Sequence, residues 1–211
     1  MKIAILGATG GTGKSLTRQA LDAGHAVVAS SRHPGEVGID HPSLVKQASN
    51  VFDVSSLRAV VAGADAAVFS VGSSSMLAAR NPGGVYREGV RNTIAAARAE
   101  GIERVVFVSS SGIEDKAGDP FWYTSIVKPL FMKGMYEEMA DMERMILASD
   151  LDYTIVRAPW LSDGELTKNF QVRVTDEFLP DDRLSRADLA YYILGAVEHR
   201  RHVRQVVSLT Y

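Results

Sequence analysis

The chain has 211 residues, 46% of them apolar and 23% charged, the balance of a soluble globular chain with apolar residues enough for a sizeable core. Twenty-three basic residues against 25 acidic ones leave a net charge of −2, so nothing electrostatic favours nucleic acid or an anionic membrane as a partner. The absence of cysteine excludes disulfides, thiolate-held metals and a thiol nucleophile, and no apolar run approaches the roughly 18 residues of a membrane span.

Lys2–Leu6 is a short β-rich apolar run, cut off by Gly7 before it reaches the length of a signal-peptide core, so the expected compartment is the cytoplasm. A helix follows, marked by Leu16, Ala20 and Leu21 at helical spacing and closed by Gly24. Further apolar runs lie at 26–29, 44–48, 66–71, 104–108, 153–156 and 205–209. Between them stand helix candidates at 55–62, 85–100, 135–148 and 186–199, the last with Ser185 as N-cap and Asp188 three residues on. Strands alternating with helices predict an α/β fold of Rossmann type: a doubly wound, mostly parallel sheet with helices on both faces, in one domain over 1–211. Residues 112–134 show no clear period and carry Pro120, Phe121, Trp122, Tyr123 and Pro129; this segment is read as a substrate lid, against a surface loop without function.

The sharpest local signal is Gly7-Ala8-Thr9-Gly10-Gly11-Thr12-Gly13, between the first strand and the first helix. Glycines permit the tight turn and close backbone approach to a pyrophosphate, and the helix behind them offers free N–H groups and a positive dipole end. Thr9 and Thr12 add hydroxyl donors. The turn is not a Walker loop, although Lys14-Ser15 follows it. Five residues separate Gly7 from Gly13, where that pattern needs four and a glycine in place of Ala8.

The second strand runs out through Ser30-Ser31-Arg32-His33, with no carboxylate before Glu36. NAD sites usually hold the ribose 2′-hydroxyl with an acid there. Ser31 and Arg32 suit a 2′-phosphate instead, which predicts NADP(H).

These features, with Gly63-Ala-Asp65, Asn92, Val108-Ser109-Ser110, Ser149 through Arg157 and Ser185-Arg-Ala-Asp188, resemble the atypical short-chain dehydrogenase/reductases. The resemblance is nearest to the NAD(P)H-binding group that holds biliverdin IXβ/flavin reductase and the NmrA-like proteins, and it covers almost the whole chain. It implies that Thr9 to Gly13 wrap the pyrophosphate and that Ser31 and Arg32 hold the adenosine phosphate. Asn50 and Val51 would border adenine, with Asn50 where the group usually has aspartate. Ser70, Val71 and Gly72 would line the cofactor, and Ser109 and Ser110 would lie near the nicotinamide. Pro159 and Trp160 would face the reactive ring or its acceptor.

The Tyr-x-x-x-Lys pair of typical superfamily members has no counterpart at helical spacing. Tyr123 and Lys128 are five apart, Tyr136 is followed four residues later by Ala140, and Tyr153 falls in a strand. Hydride transfer to a flavin or quinone needs no such acid, since positioning and the cofactor carry the chemistry. Ser110 and Trp160 are the candidates to orient and stack the acceptor. His199 and His202 are read as a basic helix end rather than metal ligands, so no metal is expected. Met135, Met139, Met142 and Met145 recur at helical spacing, as core packing, as an adaptable wall under a flat ligand, or as a dimer seam. The expected protein is an NADPH-dependent oxidoreductase, monomer or homodimer, acting on a small planar acceptor. Its rivals are a non-catalytic NmrA-like NADP(H) sensor and a sugar-nucleotide epimerase, the latter weakened by the missing Tyr–Lys pair.

Overall fold

The computed structural model describes residues 1–73, 76–113, 125, 130, 132–174 and 183–211. Most of the expected lid, including Tyr123 and Lys128, lies outside the described residues. Eight strands form one sheet: β1 (Lys2–Leu6), β2 (Ala26–Ser31), β3 (Leu44–Ala48), β4 (Ala66–Phe69), β5 (Arg104–Ser110), β6 (Asp152–Ala158), β8 (Gln171–Arg173) and β10 (Gln205–Thr210). Their order is β3-β2-β1-β4-β5-β6-β10-β8, and every pairing is parallel except the antiparallel edge of β8 on β10. Two further short strands, β7 (Trp160–Ser162) and β9 (Arg183–Ser185), pair with each other.

Strand alternation divides the core. Ile3, Ile5, Val68 and Val106 face α1 (Gly11–Asp22) and α6 (Arg186–Glu198), packing with Leu16, Ala20, Leu189 and Ile193. Leu6, Phe69, Val105 and Phe107 face the other way. They pack with Leu57 of α2 (Val54–Val61), Val90 of α4 (Val85–Ala99) and Met142 of α5 (Lys133–Leu147). A short helix, α3 (Met76–Arg80), precedes α4. Both faces of the sheet are therefore covered, as a parallel sheet requires.

The helix ends follow their sequence signals. Beyond α1, Gly24 takes φ +84°, and the N–H groups of Gly24 and His25 reach the carbonyls of Leu21 and Ala20. This closes the helix with a left-handed residue that only glycine adopts cheaply. Ser185 caps α6: its hydroxyl oxygen accepts the Asp188 N–H at 2.9 Å. The Asp188 carboxylate then gathers donors from three segments. It accepts the N–H groups of Thr167 and Lys168 at 3.0 and 2.7 Å, the Thr167 and Ser185 hydroxyls, and the Tyr211 phenol at 2.7 Å. Burial alone would raise this carboxyl; the donors of Tyr211, Lys168, Thr167 and Ser185 outweigh it and hold its pKa below the ordinary value.

At the opposite end of the sheet the fully buried Arg104 donates to the carbonyls of Asp152, Ala196 and Arg201 and to the Thr154 hydroxyl. Burial and the nearby Arg200 pull its pKa down to about 10. His202 is not on α6. It lies in the turn beyond that helix at φ +52°, and its Nδ1 stands 2.8 Å from the Tyr192 hydroxyl.

Candidate functional site

In an open parallel sheet the ligand crevice lies beyond the carboxyl ends of the strands, where the chain switches sides. Here the switch point is between β1 and β4, and a cleft of about 820 Å³ crosses that edge. Gly7 leaves β1 at φ +89°. A Cβ on it would stand 2.7 Å from the Ser70 carbonyl oxygen, so only glycine allows β1 and β4 to release the chain side by side. Gly10 is the N-cap of α1 and no side chain caps that helix. A Cβ on Gly10 would meet only the Gly7 carbonyl, at 3.4 Å, and would otherwise point into open space. At Gly13 a Cβ would collide with the Gly7 carbonyl and the backbone of Ala8. The two glycines thus serve different ends: Gly10 leaves room above the turn, whereas Gly13 lets helix and strand pack.

Gly7, Thr9, Gly10, Gly11 and Thr12 line the cleft, and Gly13 lies beneath it. At one end stand Ser31, the last residue of β2, and Arg32 just beyond it, with Asn50 and Val51 after β3. The Asn50 side-chain oxygen accepts the Phe52 N–H at 3.1 Å, which fixes the turn and occupies one of that oxygen's lone pairs. Beneath this end the buried hydroxyls of Ser30 and Ser49 are hydrogen-bonded to each other. Sequence reading missed three neighbours on this wall, His33, Glu36 and Phe52. Glu36 in particular brings a carboxylate to the same rim as Arg32.

Ser70, Val71 and Gly72 line the middle of the cleft. The Ser70 N–H and hydroxyl both donate to the Leu6 carbonyl, at 2.9 and 3.1 Å. Ser109, Ser110 and Pro159 also line it. The Ser110 hydroxyl oxygen accepts the Gly112 N–H at 3.2 Å, leaving its own proton to give. The Ser109 hydroxyl is buried, with the residue 3% exposed, and among the described residues it has no hydrogen-bond partner. A buried orphan hydroxyl is uncommon, and a ligand that reaches it satisfies it.

Trp160 stands outside the lining, 65% exposed. It opens β7, and strand alternation turns the next residue, Leu161, onto the cleft wall in its place. Met135 and Met139 of α5 line the far end while also joining the core, whereas Met142 is wholly in the core. Core packing and a cleft wall therefore both occur along the methionine stripe, at different positions. Pro82 and Val85 face these methionines. Glu138 fixes that wall. Its buried carboxylate accepts the N–H groups of Gly84 and Tyr86, at 2.6 and 3.3 Å, and so caps α4 from α5. Arg80 is brought close as well, since a Cβ on Gly134 would stand 2.6 Å from its carbonyl oxygen. The Tyr86 hydroxyl meets the N–H and hydroxyl of Ser73, and burial pushes its pKa up.

The arrangement is a cradle for an elongated ligand. It offers a glycine turn with no side chain over Gly10, free helix N–H groups, a polar rim at Ser31 and Arg32, a buried orphan hydroxyl and an apolar end. These residues fit a nicotinamide dinucleotide. Among the described residues no helix is long and apolar enough to cross a membrane.

The model of the NAD(P)H-binding family matches residues 7–200. An uncharacterised chloroplastic protein of Arabidopsis thaliana is 28% identical over 214 residues, spanning 99% of this chain and 76% of that protein. A short-chain dehydrogenase/reductase from Veillonella parvula, solved in complex with NADP, superposes with a TM-score of 0.80 at 19% identity, over 100% of this chain and 94% of that one. A candidate NADH-flavin reductase from Streptococcus pneumoniae superposes with a TM-score of 0.74 at 19% identity, over 100% and 99% of the two chains. At such identity these structures speak for the fold. From the glycine turn to the end of α6, this chain belongs to the NAD(P)H-binding family.

Proposed function

We propose that the protein is an NADPH-dependent reductase that delivers hydride to a flat acceptor such as a flavin or quinone. The observation that carries this reading is the polarity of the cleft along its length. One end is polar, with Ser31 and Arg32; the other is walled by Val85, Met135, Met139, Pro159 and Leu161, none of which titrates. When bound, NADPH supplies the hydride, and a flavin or quinone that accepts it takes the matching proton from water.

The protein's own part is to bind and position. Arg32 and Ser31 hold the 2′-phosphate, and Gly7, Thr9, Gly10, Gly11, Thr12 and Gly13 shape the pyrophosphate turn. Asn50 and Val51 border adenine, while Ser70, Val71 and Gly72 support the middle of the cofactor. Ser109 offers its hydroxyl to the nicotinamide carboxamide, and Ser110 orients the acceptor by donating a hydrogen bond to one of its carbonyls. Pro159 and Leu161 pack against the reacting rings, and Trp160 stands at the rim of that end. The likeness to a candidate NADH-flavin reductase and to a structure solved with NADP supports the same reading.

The test is NADPH oxidation followed at 340 nm against a panel of flavins and quinones. Turnover with at least one acceptor is expected, faster with NADPH than with NADH. Tight NADPH binding without turnover on any of them would replace the reductase with an NADP(H)-sensing protein.

A further inference from the structure

The geometry points to Arg186 as a phosphate clamp over the glycine turn, with Asp163 as its resting partner; this rests on the proposed NADPH site and deepens it. Arg186 is the first residue of α6, directly after the cap formed by Ser185 and Asp188, so its backbone is firmly held. Its side chain crosses to the start of α1 and lies on Gly11. A Cβ at Gly11 would stand 2.5 Å from the Arg186 Cδ and 2.9 Å from its Nε. Glycine at 11 thus makes room for an arginine from a distant part of the chain.

Arg186 lines the cleft together with Gly10, Gly11 and Thr12, and its guanidinium carbon would stand 3.7 Å from a Cβ on Gly11. Its Nη1 is held by the Asp163 carboxylate at 2.5 Å, and the Asp163 side chain is 89% exposed. An ion pair this open to water is weak and readily exchanged. The turn itself offers a phosphate only neutral donors, its peptide N–H groups and the Thr9 and Thr12 hydroxyls, whereas a guanidinium offers a full charge and a planar fork of donors. A phosphate ester lying along the turn is therefore the natural replacement for Asp163. Two sources share that chemistry: the diphosphate of the cofactor, or a phosphate on the acceptor.

The test is calorimetric titration of wild type, Arg186→Gln, Arg186→Lys and Asp163→Asn with NADPH and with adenosine 2′-monophosphate, which lacks the diphosphate. Steady-state KM for riboflavin and for its 5′-phosphate is measured beside it. Arg186→Gln is expected to weaken NADPH by about 10- to 100-fold, the range of a hydrogen bond to a charged group, and to leave the 2′-monophosphate unchanged. Arg186→Lys should recover part of the loss, and Asp163→Asn should bind NADPH as well as wild type or better. If NADPH binding holds in Arg186→Gln while KM rises for the phosphorylated flavin alone, the clamp serves the acceptor. The clamp is overturned if Arg186→Gln moves neither quantity, if it weakens both nucleotides alike, or if Asp163→Asn loses NADPH as Arg186→Gln does. Wild type that binds neither nucleotide would overturn the NADPH reading and the clamp together; wild type that binds both, with Arg186→Gln identical to it, would overturn the clamp alone.

Discussion

Glu143 on α5 and Arg157 on β6 meet inside the molecule, with the guanidinium Nη2 2.8 Å from one carboxylate oxygen and Nε within 3.2 Å of both. Both side chains are more than nine-tenths buried. Removing one partner leaves the other charged in the interior, which costs about 3–5 kcal/mol, more than a surface pair could. Glu143→Ala is therefore expected to lower stability by that amount in urea unfolding. Replacing both with apolar residues of similar volume should cost far less. Equal losses in the single and double variants would mean that packing, and not charge, sets the effect.

The glycine turn predicts two different failures. Gly10→Val fits the N-cap backbone, at φ −68° and ψ 159°, and has space around it, so the variant should melt like wild type yet lose NADPH binding. Gly13→Ala drives a methyl into the backbone of Gly7 and Ala8 and should destabilise by about 1–3 kcal/mol, as overpacking does. Thermal melts paired with cofactor titration separate the two.

Arg32 and Glu36 share one rim of the cleft, and under the proposed NADPH reading the choice of cofactor turns on their balance. Arg32→Ala should cost about 1.5–3 kcal/mol of NADPH affinity and leave NADH almost unchanged. Glu36→Gln should favour NADPH further by removing a negative charge near the 2′-phosphate. Wild type that prefers NADH would reverse the assignment of this rim.

Asp188 makes stability depend on pH in a definite direction. Its folded pKa is held below the ordinary carboxylate value, so on acidification the unfolded chain takes up the proton first. The stabilisation is complete above about pH 4, the ordinary Asp range, and is lost as the pH falls through the depressed value. Asp188→Asn should be less stable at neutral pH and should show a shallower acid limb. Chemical unfolding at a series of pH values between neutrality and the acid range reads both.

All seven apolar runs of the sequence are strands: six are largely buried and announce themselves by composition, whereas β3 is an edge strand, half-buried to exposed, and gives the weakest run. The fourth stops at Phe69, two residues before its apolar run ends, because Ser70 and Val71 leave the sheet to line the cleft. The strands at 160–162, 171–173 and 183–185 have three residues each, too few for any period, and their pairings depend on contacts far along the chain. The site divides in the same way. That the glycine turn and the ends of β2, β4 and β5 come to one cleft was legible, because each is marked by adjacent residues in the sequence. Arg186 was not, since only the folded chain lays it over Gly11. Leu161 was hidden behind Trp160 because the larger ring draws attention, while strand alternation puts its neighbour on the wall.

The Glu138 cap makes the apolar end of the cleft a single mechanical unit. Pro82 and Val85 on one wall and Met135 and Met139 on the other are tied through one carboxylate that lines no part of the cleft. Parting these walls for a thicker acceptor means stripping the N-terminus of α4 of its cap, a cost set by hydrogen bonds and not by contacts with the ligand. Under the proposed reductase reading, the range of acceptor sizes is thereby governed from outside the pocket, and changes at Glu138 would alter it while every residue that lines the cleft stays the same.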